Sequence, residues 1–357
     1  MRIAVIAITG NGTRLGCKLL SGLTGAELYV SKRYAGQAGS ARHLFEPTEL
    51  KDLIAALWHK FDGFVFIMAT GIVVRMVASH LESKQTDPAV VVIDDAGKFA
   101  ISLLSGHLGG ANELAQRCAF ICGANPVITT ATDTNDLPSF DMLAKDNNLV
   151  IENIKSIKVL NSLLLDGKEI GVVDQIGKVR AWLHGRGKIC FYDTFIDAFT
   201  SKAAGLVFVT NQNFPAQTQH EKLLVLRPRN LVLGIGCNRN TPLEEIEEFV
   251  DTQLRRCFLS LKSVVKIASA EAKSDETGLI AYAEKYGLEL VFYPSDDLNQ
   301  VPVPTEPSQY VMAAIGAKGV AEPAAVLASS GGRLLLKKVK SPNVTLAIAQ
   351  ICEAGNE

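Results

Sequence analysis

A chain of 357 residues is too long for one ordinary core, so two or three domains are expected. Hydrophobic residues at 48% and charged residues at 20% describe a globular protein with ample core material, and a net charge of −1 argues against a general nucleic-acid binder. No apolar run approaches the ~20 residues that span a bilayer, and the start, MRIAVIAITGNG, reads as a buried strand rather than a signal peptide, so a cytoplasmic protein is expected.

In chain order, RIAVIAIT (2–9), FVFIMA (64–69), AVVVID (89–94), FAISLL (99–104) and PVITTA (126–131) are short apolar runs bounded by Gly, Asp, Asn or Pro. Helical patterns such as LKDLIAALWHKF (50–61) lie between them, which predicts a largely parallel, helix-covered sheet. DDAG (94–97) reads as a hairpin turn, giving one antiparallel pair. From about Val150 the texture changes to short strands: EIGVVDQ, KVRAWLH, KICFY and GLVFVTN. A third unit opens at LVLGIGCNRNTPLEEIEEFV (231–250), where Thr241 is the expected N-cap, Pro242 the first helical residue and Glu244 the partner in a capping box. The proline-containing run QVPVPTEPSQ (300–309) reads as an extended loop. The expected fold is α/β and multi-domain: N-terminal (1–140) and C-terminal (229–357) units with largely parallel sheets, flanking a smaller strand-rich middle unit (141–228).

Seven cysteines show no C-x-x-C pair, and Cys118 and Cys122, four apart on a predicted helix, read better as small buried residues than as metal ligands. No metal site is expected. Chemistry is expected instead at four glycine corners: TGNGTRLG (9–16), ATGIVVR (69–75), SGHLGGAN (105–112) and GIGCNRNT (234–241). Open α/β sheets bind ligands where strands lead into helices, and the free N–H groups of a helix start attract anions. None of the four matches G-x-G-x-x-G or a P-loop, which leaves a nicotinamide-dependent oxidoreductase as the weakest reading.

SGHLGGAN adds side-chain chemistry to its glycines. His107 is a candidate general base or hydrogen-bond donor, or else a structural histidine bonded to a carbonyl. Asn112 and Glu113 fall in the first helical turn, where capping or dipole complementation is the plainer role. In TTATDTND (129–136), Thr129, Thr130, Thr132 and Asp133 offer hydroxyls and a carboxylate, although Asp133 and Asp136 also suit turns. Arg75 could clamp a carboxylate, and Arg239 and Glu322 are the matching candidates in the last unit.

The segments ATGIVVR, SGHLGGANELA, VITTATD, GIGCNRNTPLEEI, GVAEPAA and SPNVTLAIAQI together resemble the cobalt-precorrin-5A hydrolase family of anaerobic cobalamin synthesis, over nearly the whole chain. The resemblance implies an enzyme that opens the δ-lactone of a cobalt-bearing tetrapyrrole and releases acetaldehyde, giving cobalt-precorrin-5B. No cofactor is then needed, because the cobalt arrives with the substrate. Under it, His107, Glu113 and Asp133 are the expected catalytic residues. Gly71, Arg75, Gly106, Gly109, Gly110, Asn112, Thr129, Thr130, Gly236, Arg239 and Glu322 are expected to bind substrate, with the Gly109 and Gly110 amides facing the lactone oxyanion. Expected partners are the tetrapyrrole, a second copy in a homodimer and, transiently, methyltransferases of the pathway, with no nucleic acid or membrane. The competing reading is a non-catalytic carrier of corrinoid intermediates.

Overall fold

A computed structural model of the chain describes residues 1–39, 42–83 and 86–351. It divides into two compact units, Met1–Lys145 with Leu164–Asp166 and Gly185–Gly187, and the remainder. The first unit holds strands β1 (Ile3–Ala7), β2 (Ala26–Ser31), β3 (His43–Phe45), β4 (Gly63–Ile67), β5 (Ala89–Ile93), β6 (Phe99–Leu104) and β7 (Asn125–Val127), in the order β3-β2-β1-β4-β5-β6-β7. Every residue of β1, β4 and β5 is buried, which is why these strands are continuous apolar runs rather than alternating ones. Odd positions such as Ile3, Val5 and Val65 pack with Leu114, Ala115 and Cys118 of the helix Ala111–Cys122. Even positions such as Ala4, Ile6, Phe64 and Phe66 pack with Trp58, Val73 and Val77 on the other face.

The expected hairpin is present. The Asp94 carboxylate accepts from the backbone N–H groups of Ala96, Lys98 and Phe99 at 3.0, 2.9 and 2.6 Å, so β6 returns antiparallel to β5. β7 then pairs parallel to β6. This one reversal matters for the site. The carboxyl end of β6 lies at the sheet edge where β1, β4 and β5 begin, not where they end. A Cβ on Gly110 would accordingly sit 3.0 Å from the Met1 methyl, beside the start of β1.

The second unit carries two sheets. The middle one is β8 (Leu149–Ile151), β9 (Ile170–Asp174), β10 (Ile189–Tyr192), β11 (Gly205–Val209) and β12 (Leu223–Pro228), ordered β10-β9-β11-β12-β8, with only β8 antiparallel. The last is β13 (Leu231–Cys237), β14 (Val264–Ala270), β15 (Glu289–Tyr293), β16 (Arg333–Lys340) and β17 (Val344–Gln350), ordered β15-β14-β13-β17-β16. Its β13, β14 and β15 run parallel, and the β16–β17 hairpin pairs antiparallel with β13. The α/β class expected from the sequence is therefore observed, and the middle unit is itself a parallel α/β layer.

Two local expectations fail. KVRAWLH does not form a strand; Arg180–Leu183 is a short helix. Val179 and Leu183 are buried under both periodicities, but Ala181, which a strand would bury with them, is exposed. At the start of the helix Leu243–Arg256, Pro242 occupies the cap position, and the Thr241 hydroxyl donates back to the Asn238 carbonyl at 2.9 Å.

In the middle sheet, Arg227 is 1% exposed. It donates from Nε to Glu152 at 2.6 Å, from Nη1 to the Thr210 and Gln212 carbonyls at 3.1 and 2.5 Å, and from Nη2 to Asn213 Oδ1 at 3.2 Å. Burial lowers its proton affinity, and Glu152 opposes that effect.

Candidate active site

The corner after β6 is a tight loop folded on itself. The Gly110 N–H donates to the His107 carbonyl at 2.9 Å, Ala111 N–H to Ser105 at 3.1 Å and Asn112 N–H to Gly106 at 3.0 Å. A Cβ on Gly109 would collide with Ser105, and Gly110 has φ +87°, a left-handed conformation that glycine adopts without strain. The glycines are thus explained by the loop's own closure. This corrects the expected pair of oxyanion amides: Gly110 is already bonded, and among the described residues only the Gly109 N–H of the two has no acceptor.

Closure of the loop aims His107 at the segment following β7. Its Nε2 donates to Asp133 Oδ2 at 2.8 Å and lies 3.2 Å from Thr132 Oγ1. Its Nδ1 lies 3.2 Å from Ser139 Oγ and 3.4 Å from Asp141 Oδ2, while the Ser139 hydroxyl donates to Asp141 Oδ1. Asn112, 8% exposed, ties the cluster together. It donates from Nδ2 to Thr130 Oγ1 and Asp133 Oδ2, both at 3.0 Å, and accepts from Ser102 at 2.6 Å.

The electrostatics follow from this geometry. The hydrogen bond to Asp141 raises His107 above its ordinary value; burial opposes the rise, and Asp133 adds to it. Burial pushes the Asp141 carboxyl up, but hydrogen bonds from His107 and Ser139 outweigh it and hold the group below the usual carboxylate range. Both carboxylates thus favour the charged form of the imidazole, against its burial. Side-chain exposure is 14% for His107 and 10% for Asp141, against 44% for Asp133. Asp133 is the more solvent-exposed of the two carboxylates.

The structure gathers His107, Gly106, Gly109, Gly110, Asn112, Thr130 and Asp133 at this edge. Thr129 lies next to them in the chain and is exposed. Three expected members from the first unit do not join. Glu113, expected among the catalytic residues, is exposed in the first turn of its helix and makes no bond to the imidazole. Gly71 and Arg75 follow β4, at the opposite sheet edge, and the Arg75 guanidinium donates to the Gly71 carbonyl at 2.8 Å within its own helix. At that edge Thr9, Gly10, Asn11, Arg14, Gln37 and Asp95 line a cavity of about 620 Å3. Asp95 accepts there from Thr9 and Asn11, so a carboxylate already faces the helix start that a phosphate would need.

In the second unit, Gly236 lies inside β13, where a Cβ would meet Thr345 Oγ1 and Val320. Arg239 donates to Asp275 and to the Ala272 carbonyl (3.1 Å) and lies 3.2 Å from Glu276. Glu322, 2% exposed, accepts from Thr305 Oγ1 at 2.8 Å and from the Lys338 N–H at 2.9 Å, and lines a cavity of about 320 Å3 under the 301–307 loop. Among the described residues no group of three or more His, Cys, Asp or Glu is placed to hold a metal, and burial pushes the Cys118 thiol up to about 12. No described helix is long and apolar enough to cross a membrane.

The residues missed in the sequence are Ser139 and Asp141, whereas the hydroxyl of Thr132, expected at this edge, lies 3.2 Å from His107 Nε2. Asp141 lies in the first turn of the helix Phe140–Asp146, where an acidic residue reads as dipole complementation. No spacing ties it to a histidine 34 positions earlier.

A half-buried imidazole between two carboxylates at a strand-to-helix corner of an open α/β sheet has the groups that acid–base chemistry on a small molecule uses. Three family models cover most of the chain: cobalamin synthesis G N-terminal at 52–133, the cobalamin biosynthesis central region at 138–228 and cobalamin synthesis G C-terminus at 231–349. A cobalt-precorrin-5A hydrolase from Priestia megaterium is 36% identical over 355 residues, 98% of this chain and 94% of the relative. One from Salmonella typhimurium is 33% identical over 81% of this chain and 82% of its own length. The solved structure of a putative cobalamin biosynthesis protein G homolog from Sulfolobus solfataricus is 24% identical, with a TM-score of 0.38 over 98% of this chain and 97% of that one. The chain belongs to the cobalt-precorrin-5A hydrolase family.

Proposed function

We propose that this protein hydrolyses the δ-lactone of cobalt-precorrin-5A and releases the two-carbon unit as acetaldehyde, with the His107 corner as the site of chemistry. The observation that carries the reading is the exposed Asp133 carboxylate, held by the half-buried imidazole of His107 and by Asn112. Asp133 takes a proton from water as the water oxygen bonds to the lactone carbonyl carbon. The ring C–O bond then breaks, and Asp133 returns the proton to the departing oxygen. The freed hydroxyl loses its proton as the adjacent carbon–carbon bond breaks, leaving acetaldehyde, and a proton replaces that bond on the macrocycle. The Gly109 N–H, which has no acceptor among the described residues, is the backbone donor for the carbonyl oxygen as charge develops on it.

Support comes from the relatives' named activity and from a corner whose polar groups converge. The cobalt belongs to the substrate. Anaerobic incubation with cobalt-precorrin-5A and a trap for acetaldehyde tests the reading. Wild type is expected to release acetaldehyde, and Asp133→Asn is expected to lose about 10²–10⁴ in rate. Acetaldehyde from both at equal rates moves the chemistry away from this corner. None from either, with substrate bound and unchanged, favours a carrier.

A further inference from the structure

We infer that Asp141 is a positioning residue that fixes the orientation and charge of His107 from its Nδ1 side, so that the Nε2–H faces Asp133. The inference rests on the reading of this corner as the lactone-opening site and goes beyond it in assigning a residue that never meets substrate.

Hydrogen-bond accounting carries the argument. Ser139 has one hydroxyl hydrogen, and it points to Asp141 Oδ1. Ser139 Oγ can therefore only accept at Nδ1, 3.2 Å away, as can Asp141 Oδ2 at 3.4 Å. Nδ1 must carry a hydrogen. On the other side, Asp133 Oδ2 already accepts from Asn112 and meets Nε2 at 2.8 Å, so Nε2 carries a hydrogen as well. Both ring nitrogens being donors makes the ring an imidazolium. Asp133 and Asp141 are the charged groups that face the ring. On the same corner, the Lys145 Nζ donates to the Leu108 carbonyl at 3.4 Å. Burial of His107 opposes its charge, and of the two carboxylates Asp141 does more to offset it.

Asp141 is also the rigid member. Its helix buries Phe140, Leu143 and Ala144, and the Leu143 N–H donates to the Ser139 carbonyl at 2.9 Å, so the chain holding Ser139 and Asp141 is fixed to the core. Without the Asp141 charge, the imidazole deprotonates at lower pH. A neutral ring with its hydrogen on Nδ1 turns an Nε2 lone pair toward the Asp133 carboxylate, which is repulsive.

The test is an NMR titration of His107, assigned by difference against His107→Gln, in wild type, Asp141→Asn and Ser139→Ala, paired with kcat and KM for lactone opening. In Asp141→Asn, His107 is expected to titrate at lower pH than in wild type, with kcat down by at least about tenfold and KM within about twofold. Ser139→Ala keeps the carboxylate and is expected to keep His107 above its ordinary value, which decides the matter should Asp141→Asn fail to fold. An unshifted titration in Asp141→Asn overturns the inference, as does a shifted one with kcat unchanged, or loss of the raised value in Ser139→Ala. The titration needs no substrate. A wild type that titrates as expected but opens no lactone therefore overturns the functional reading and leaves the hold of Asp141 on the ring standing.

Discussion

Removing the imidazole exposes the charge balance on which the corner depends. In His107→Ala, Asp141 keeps the Ser139 hydroxyl but loses its cation, with its side chain only 10% exposed. A buried charge left without its partner costs about 3–5 kcal/mol. Asp133 is 44% exposed, and solvent screening limits its share to at most about 1 kcal/mol. The expected loss at pH 6 is thus about 3–5 kcal/mol, a large part of the roughly 5–15 kcal/mol that holds a domain folded. Its pH dependence has a definite sign. His107 binds its proton more tightly folded than unfolded, so that contribution is full below about pH 6.5 and is lost as pH rises through the folded value. Asp141 holds its proton less tightly when folded, so its contribution is full above about pH 4 and is lost as pH falls through its folded value. The gap between wild type and variant should be widest between about pH 5 and 6.5 and narrow toward alkaline pH. Urea unfolding followed by Trp58, which is buried and stacked on Phe64, measures it in a Trp182→Phe background. A gap below about 1 kcal/mol at pH 6, or one equally large at pH 6 and pH 9, would refute the reasoning.

Glu113→Gln should leave stability within about 0.5 kcal/mol of wild type and lactone opening unchanged, since the residue is exposed and off the imidazole; parallel denaturation and rate measurements check both. Asn112→Ala should cost about 1–3 kcal/mol by Trp58-monitored unfolding, because it strands the Ser102 hydroxyl and removes a donor from Asp133. Arg227→Ala should cost about 3–5 kcal/mol in the second unit, read by Trp182 fluorescence. Pairing Arg227→Met with Glu152→Leu should restore most of that loss, because the penalty comes from the stranded carboxylate.

What was legible in the sequence tracks how local its physical cause is. The strands β1, β4 and β5 stand out because burial on both faces writes continuous apolar runs, and the Asp94 turn because one carboxylate caps three nearby amides. The helix Arg180–Leu183 was hidden because Val179 and Leu183, four apart, fit strand and helix alike. Arg227 gave no sign of its burial, since its acceptors Glu152, Thr210, Gln212 and Asn213 meet only when strands β8, β11 and β12 pair. At the site, His107, Asn112, Thr130 and Asp133 were found because glycines and hydroxyls mark strand-to-helix corners. Asp141 was not, because nothing in its helix distinguishes an acid that holds a ring from one that complements a dipole.

The grouping of Gly71 and Arg75 with His107 failed for a different reason. The Asp94 turn is local, whereas the edge to which it delivers β6 is set by the strand order of the whole sheet. Corners after strands share an edge only if the strands run the same way. β6 and β7 run against β1, β4 and β5, so the loops after β6 and β7 meet each other and face the start of β1. The same reversal that separates Arg75 from His107 brings Asp133 to it, because β7 follows β6 in parallel and delivers residues 129–133 to the edge where the glycine loop closes. Inserting the site into this sheet therefore requires one antiparallel hairpin and no other departure from parallel order. Loss of the Asp94 turn, by freeing β6 from its register, would separate the imidazole from both of its carboxylates without touching any of the three.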